Sequence, residues 1–166
     1  WYADGGYLYD VLGDVPDARL RPNQIFAVSL PHSPLEPAQA QAVVAAVERH
    51  LLTPYGLRTL APDDPDYRGV YGGNTWERDG AYHQGTVWPW LIGPYVDAYL
   101  RVHEEGEAAR TACRALLRPL LQHVHEAGVG SISEIFDGDP PHAPKGTISQ
   151  AWSVAEVLRA WDRCKE

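Results

Sequence analysis

The stretch Arg78-Asp-Gly-Ala-Tyr-His-Gln-Gly-Thr-Val-Trp-Pro-Trp90 runs directly into Leu91-Ile-Gly-Pro-Tyr-Val-Asp-Ala-Tyr-Leu-Arg-Val-His103. Thr86 is a good N-cap, and Pro89 falls in a first turn, where its missing N–H is tolerated. The spacing predicts a helix from Val87 to about His103. Leu91, Ile92, Tyr95, Val96, Tyr99 and Leu100 make that helix apolar on nearly every side, the pattern of an inner helix enclosed by others. The residues before it are of another kind. An Arg-Asp dipeptide, a Tyr, a His, a Gln and two Trp share 13 residues, with Gly80 and Gly85 as bends. Flat apolar rings beside short hydrogen-bonding arms suit a neutral polyol. The stretch reads first as the floor of a sugar site, with Asp79 and His83 as candidates for chemistry.

Moving outward, Trp1 to Arg21 is Gly- and Asp-rich and reads as a loop, with a short strand at Tyr7–Val11. Pro22 opens a short apolar helix carrying Ile25, Phe26, Val28 and Leu30, which Pro31 and Pro34 stop. Asn23 and Gln24 fall in its first turn, placed to look into a cleft. Glu36 to Leu52 is an amphipathic helix with Ala40, Val43, Val44, Val47 and Leu51 at i, i+3, i+4 spacing. Leu57–Leu60 alternates like a short strand, and Pro62 to Tyr71 is turn-rich. Glu107 to Ala127 is amphipathic again. Ser131 to Gly146 is a loop, and a last helix, capped by Thr147, spans about Ile148 to Arg163.

A repeat runs through this order. An outer helix ends in glycine and a β-like run, first Gly56-Leu-Arg-Thr-Leu60 and then Gly130-Ser-Ile-Ser-Glu-Ile135. A long Asp/Pro loop follows each. Gly85-Thr-Val-Trp88 and Gly146-Thr-Ile-Ser-Gln-Ala-Trp152 then open aromatic helices. Inner and outer helices joined by long loops on one face describe an all-α toroid of helical hairpins, an α/α barrel. Five predicted helices do not close such a ring, so the chain is expected to be a fragment, or a domain that needs a preceding segment. The chain starts at Trp1 rather than Met, which points to processing or to a removed upstream portion. A small all-α bundle is the plainer alternative.

Composition narrows the function. A chain of 166 residues, 45% hydrophobic and 22% charged, supports one ordinary globular core. The net charge of −8 speaks against nucleic acid and anionic membrane as partners. No apolar run is long enough for a membrane helix, and no signal peptide is visible. The two cysteines, Cys113 and Cys164, do not make a disulfide framework, and a reducing cytoplasm is the simplest compartment. Six Trp and nine Tyr against two Phe favour rings with a polar handle, which suit a wet aromatic cleft. His123 and His125 are two apart on a helix and point apart, while His32, His83 and His142 are isolated, so no metal site is expected. Gly72-Gly73 lacks a following Lys-Ser/Thr, so it does not read as a phosphate cradle.

Carboxylates remain. Glycoside hydrolysis needs an acid and a second carboxylate, standing about 6.5–9.5 Å apart when the second activates water. Asp79, Glu134, Asp137 and Asp139 are the loop candidates. Asp79 follows Arg78, and a carboxylate paired with arginine is a poor proton donor. It either grips sugar hydroxyls or braces the loop through Arg78. Asp137-Gly-Asp-Pro140 reads as a turn. Glu134 lies between Ile132, Ile135 and Phe136 with few basic neighbours, an environment suited to a general base. Tyr82, His83, Gln84 and Trp88 are placed for ligand contact. Trp88 and Trp90 are two apart, so one faces the cleft and the other the core.

Four motifs carry a resemblance: Arg21-Pro-Asn-Gln-Ile-Phe-Ala27, Leu51-Leu-Thr-Pro-Tyr-Gly-Leu-Arg-Thr-Leu60, Arg78 to Trp90, and Ser131-Ile-Ser-Glu-Ile-Phe-Asp-Gly138. In order and with matching loop lengths, from about Arg21 to the C-terminus, they resemble the C-terminal glucosidase domain of glycogen debranching enzymes, the amylo-α-1,6-glucosidase family. The resemblance implies an (α/α)6 barrel, metal-free and cofactor-free hydrolysis of α-1,6-linked glucose with inversion, and glycogen, limit dextrin or another α-glucan as substrate. It implies Glu134 as general base, and a glucose pocket in the Arg78–Trp90 stretch: Arg78, Asp79, Tyr82, His83, Gln84 and Trp88, with Asn23 and Gln24 beside it. The family's general acid, an Asp in a Thr-Trp-Met-Asp-type segment, has no counterpart here; Asn74-Thr-Trp-Glu77 lies in the wrong context. The acid is therefore expected upstream, the resemblance implies that residues 1–166 are the C-terminal part of a single α/α-barrel glucosidase domain, a partial barrel, and the chain alone is expected to be inactive. A non-catalytic glucan-binding or scaffolding module of the same shape, or another α/α-barrel carbohydrate-active enzyme such as a lyase, are the rival readings. A lyase acting on acidic polymers would want a basic cleft, which this charge does not favour.

Overall fold

The computed structural model describes residues 1–165. Its helices are α1 (Ile25–Ser29), α2 (Pro37–His50), α3 (Thr75–Ala81), α4 (Ile92–Val102), α5 (Glu107–His123) and α6 (Ala151–Arg163). Short 3-10 turns at Pro22–Gln24 and Pro89–Leu91 lead into α1 and α4. The strands are β1 (Leu52–Thr53), β2 (Gly56–Arg58), β3 (Val87–Trp88), β4 (Ile135–Phe136) and β5 (Pro144–Lys145).

α4 is the helix around which α1, α2, α5 and α6 pack. Ile92, Val96, Ala98 and Leu100 are fully buried and Tyr95 almost so. Burying one such side chain is worth about 1.5–3 kcal/mol. α1 and α6 lie against α4, and so do α2 and α5. Each neighbour contributes its own apolar stripe: Ile25 and Val28 from α1, Val43 and Val47 from α2, Leu117 and Leu120 from α5, Val157 and Ala160 from α6. Asp97 of α4 pairs with Arg159 of α6 at 2.7 Å, a half-exposed pair worth at most about 1 kcal/mol. Arg101 of α4 donates to the carbonyls of Val28 and Leu30, satisfying the open end of α1. Among the described residues no helix is long and apolar enough to cross a membrane. Cys113 and Cys164 are buried free thiols, and burial pushes both up from the ordinary thiol value.

Helices make up most of the regular structure, but the fold is not all-α as expected. Five short strands form one antiparallel sheet in the order β1-β2-β3-β4-β5. Leu57 and Arg58 pair with Trp88 and Val87, and Val87 pairs on its other side with Phe136. This sheet explains why the helix expected from Val87 begins only at Ile92. Val87 and Trp88 are a β-branched and an aromatic residue with ladder partners on both sides, and the sheet claims their backbone. Thr86 is correspondingly no cap: its hydroxyl donates to the Ala81 carbonyl at 2.8 Å. α6 likewise starts at Ala151 rather than Ile148. The preceding backbone is taken by Glu134 N–H to Thr147 O at 2.9 Å and Gln150 N–H to Ile132 O at 3.0 Å.

Two further expectations changed. Gly80 is not a bend but part of α3, a helix the apolar spacing does not announce. A reciprocal cap starts it: Asn74 Oδ1 accepts Glu77 N–H at 3.1 Å and Asn74 N–H donates to Glu77 Oε2 at 2.7 Å. The strand expected at Tyr7–Val11 does not form; the N-terminal loop shows only isolated bridges, Tyr2 with Tyr7 and Val11 with Asp17. The short strand expected within Leu57–Leu60 is present as β2.

Candidate active site

The sheet brings two distant segments together. β3 carries Trp88, and Glu134 immediately precedes β4, the next strand in the sheet. The turn after α3 presents Tyr82, His83 and Gln84 just before β3. Gly85 sits in that turn with φ +140°, and a Cβ there would lie 2.6 Å from the Arg68 carbonyl oxygen, so only glycine fits. Thr59 clamps the turn: its hydroxyl accepts Gly85 N–H at 2.8 Å and donates to Thr86 O at 3.0 Å.

Glu134 is half-buried and held at both oxygens. Oε1 accepts the Tyr82 hydroxyl in a short hydrogen bond, and Oε2 accepts Thr147 N–H at 2.8 Å. Gly146, at φ +68°, passes so close that a Cβ would stand 2.6 Å from Glu134 Oε2. Burial pushes the carboxyl up, but the bonds from Tyr82 and Thr147 outweigh it and leave Glu134 below the usual carboxylate value. The group is therefore ionised at neutral pH, as a base must be. Burial and the adjacent Glu134 carboxylate push the Tyr82 hydroxyl well above its usual value, so it stays a donor.

Rings build the wall beside the carboxylate. Tyr82 meets Trp88 edge-on at 4.8 Å, and His83 stacks on Trp88 with centroids 5.5 Å apart and planes 5° off parallel. The indole Nε1 of Trp88 donates to Tyr82 O at 3.2 Å. Trp152 of α6 meets Trp88 edge-on and stacks on Trp90, which also packs on Phe26. Trp88 is buried, Trp90 half-buried and Trp152 the most exposed of the three. Tyr71 packs on the far ring of this group, 5.7 Å from Tyr82. Burial, then the charge of Arg21, lower the His83 imidazole below its ordinary value, so it is neutral at pH 7.

Arg21 is the organising side chain that the sequence reading left without a role, although it opens one of the four motifs. Its Nη1 reaches Thr59 O at 3.0 Å and His83 O at 2.7 Å, and its Nη2 reaches Gln84 Oε1 at 2.8 Å. Arg21, Asn23, Thr59, His83 and Gln84 line a cavity of about 260 Å³, with Pro22 completing the wall. His83 thus belongs both to this cavity and to the ring cluster, while Tyr82, Trp88 and Glu134 lie outside the cavity lining. Asn23 donates to Asp10 at 3.2 Å.

The remaining expected residues fall elsewhere. Gln24 is buried, and its amide is spent on the backbone: Oε1 accepts Leu8 N–H at 3.2 Å and Nε2 donates to Arg21 O at 3.1 Å. It ties the N-terminal loop to α1, and with Asp10, Arg21 and Asn23 it lines a cavity of about 210 Å³. Arg78 and Asp79 are exposed on α3, and the guanidinium of Arg78 turns to Gly73 O and Thr75 Oγ1 rather than to Asp79. Asp137 accepts Tyr71 N–H at 2.8 Å, and Asp139 accepts the Tyr67 hydroxyl at 2.9 Å, so both shape the loop. A larger concavity of about 690 Å³, lined in part by Asp17, Arg19, Asp63 and Asp64, includes no member of the ring cluster. Among the described residues no group of three or more His, Cys, Asp or Glu side chains is arranged to hold a metal ion.

A family model described as amylo-alpha-1,6-glucosidase matches residues 1–159. The chain is also similar to a glycogen debranching enzyme of Saccharomyces cerevisiae, with 27% identity over 161 residues. That alignment covers 86% of this chain and 10% of the yeast protein, so the chain spans about a tenth of that relative's length.

Proposed function

The chain belongs to the amylo-alpha-1,6-glucosidase family, and from that membership we propose that it supplies the base side of a glycoside hydrolase site. The substrate is the α-1,6-linked glucose at branch points of glycogen or a limit dextrin. The observation that carries the reading is the Glu134 carboxylate, ionised and held by Tyr82 and Thr147, beside the stacked rings of His83 and Trp88. A neutral sugar ring packs on the exposed His83 ring, which Trp88 backs, and each Glu134 oxygen keeps a lone pair for a water molecule.

In the proposed mechanism Glu134 deprotonates a water on one face of the glucose ring. Neutral His83, with Gln84 and Asn23 around the adjoining cavity, meets sugar hydroxyls. Arg21 acts on the site through His83 and Gln84. Attack by water opposite to the leaving oxygen inverts the anomeric centre. The acid that protonates the leaving oxygen is assigned to a preceding segment, and the engagement of the loop candidates Asp137 and Asp139 in holding the loop supports that assignment. The inner α1, α4 and α6 against the outer α2 and α5 support reading the chain as part of an (α/α)6 barrel, completed by a preceding segment. Arg78 and Asp79, on the exposed side of α3, then meet the glucan beyond the pocket rather than the terminal glucose.

In the complete protein, Glu134→Gln is expected to lower glucose release from a limit dextrin by at least about 100-fold while binding persists. Proton NMR of the first product should show the β anomer. A variant that turns over normally but binds weakly would remove Glu134 as the base, and leave the chain as a glucan-binding module.

A further inference from the structure

His123, the last residue of α5, is only 1% exposed and sits behind the residue that precedes Glu134. Its Nε2 lies 3.0 Å from Ser133 Oγ and receives the Ser133 backbone N–H at 3.4 Å. An amide N–H is only ever a donor, so Nε2 is the acceptor and carries no proton. The ring proton then sits on Nδ1, which faces Glu126 Oε2 at 3.6 Å. Phe136 meets the ring edge-on at 4.8 Å and Tyr55 at 6.2 Å, and these two stack on each other at 4.4 Å. Glu126, from the turn after α5, is the charged group in contact with the imidazole; Tyr55 and Phe136 bring no charge, and His142 packs on Tyr55 rather than on His123.

Glu134 is thus held from two sides. Its carboxylate is held by Tyr82 and Thr147, and the backbone behind it is bolted to α5 through Ser133. We propose that neutral His123 is a positioning residue for Glu134, fixing Ser133 so that the carboxylate is aimed, and that protonation of His123 releases this hold. The inference rests on Glu134 being the base. The reason is stereochemical: a proton on Nε2 would face the Ser133 N–H, two donors would meet, and a buried amide would lose its acceptor. Burial lowers His123 below its ordinary value, against the opposing pull of Glu126, so the hold persists at neutral pH and is lost on the acid side.

The test is the pH profile of glucose release from a limit dextrin by the complete protein carrying His123→Leu or His123→Gln. Glutamine offers an amide oxygen as acceptor and does not titrate. His123→Leu should lower kcat by about tenfold or more with KM within about twofold, since small misplacement of a catalytic group is costly. His123→Gln should recover most of that kcat, and its acidic limb should lie at lower pH than that of the wild type. A purely structural role would lower Tm and leave kcat unchanged. Wild-type kcat in the leucine variant, or an unshifted acidic limb in the glutamine variant, overturns the proposal. Should the leucine variant fail to fold, the glutamine profile alone decides. Glu134→Gln run alongside separates the cases. If it stays active, the base assignment falls and this inference with it; if it is dead while His123→Leu is unaffected, only this inference falls.

Discussion

At the scale of the residue, the site depends on which hydrogen bonds a carboxylate accepts. Burial alone would push Glu134 up, and the Tyr82 hydroxyl is the largest of the forces that pull it down. Tyr82→Phe removes that donor without touching the Tyr82 carbonyl that receives Trp88. Because the folded-state value is depressed, the ionised base is present at neutral pH and is lost as pH falls through that value. Without the hydroxyl the value rises, so in the complete protein carrying His123→Gln, where His123 no longer titrates, Tyr82→Phe should move the acidic limb of kcat/KM to higher pH. An unmoved limb would show that Glu134 does not set it. Glu134 was legible as a base candidate from its apolar neighbours, and Asp137 and Asp139 as turn residues from Asp-Gly-Asp-Pro. Arg21 and His123 were not assigned. Their partners, Thr59, His83 and Gln84 for one and Ser133 for the other, lie 10 to 63 residues away in sequence, and no local pattern announces them.

At the scale of the element, α3 shows how a short helix with no apolar stripe can still be specified. Asn74 and Glu77 cap its first turn reciprocally, and its buried anchor is Ala81 alone. Asn74→Ala should weaken the helix by about 1 kcal/mol. Because α3 contributes little to the core, amide exchange within Thr75–Ala81 should accelerate with global Tm hardly changed; a large drop in Tm would mean that α3 supports more of the fold than its burial indicates. The same capping logic misled at Thr86 and Thr147. Both are good caps by residue type, yet Thr86 precedes a paired strand and Thr147 gives its backbone to Glu134. Capping preference is worth about 1 kcal/mol, and a set of ladder and loop hydrogen bonds outweighs it.

At the scale of the whole molecule, apolar surface remains at the end of α1 and on α6. Leu30 is 53% exposed at the end of α1, and Leu158 is 61% exposed on α6. In the barrel proposed for the complete protein, further helices would pack at these places. Residues 1–166 by themselves should release no glucose from a limit dextrin in a coupled glucose assay, whereas the complete protein should. Release by the isolated chain would place the acid within it and overturn the division of the site.

The sequence by itself determined the helices with strong apolar periodicity, α2, α4 and α5, the glycines that close the turns, and membership of a carbohydrate-acting family through four long motifs. These are local properties, set by side-chain volume, hydrophobicity and backbone freedom along a short run. Only the tertiary structure decided that Val87, Trp88, Ile135 and Phe136 are strands, and that Tyr82 grips Glu134 from 52 residues away. It also decided that Gln24 serves the backbone, and that His123 stands behind the carboxylate. Strand pairing and buried hydrogen bonds need a partner, and that partner comes from a remote part of the chain, brought into reach by the packing of α1, α4 and α6.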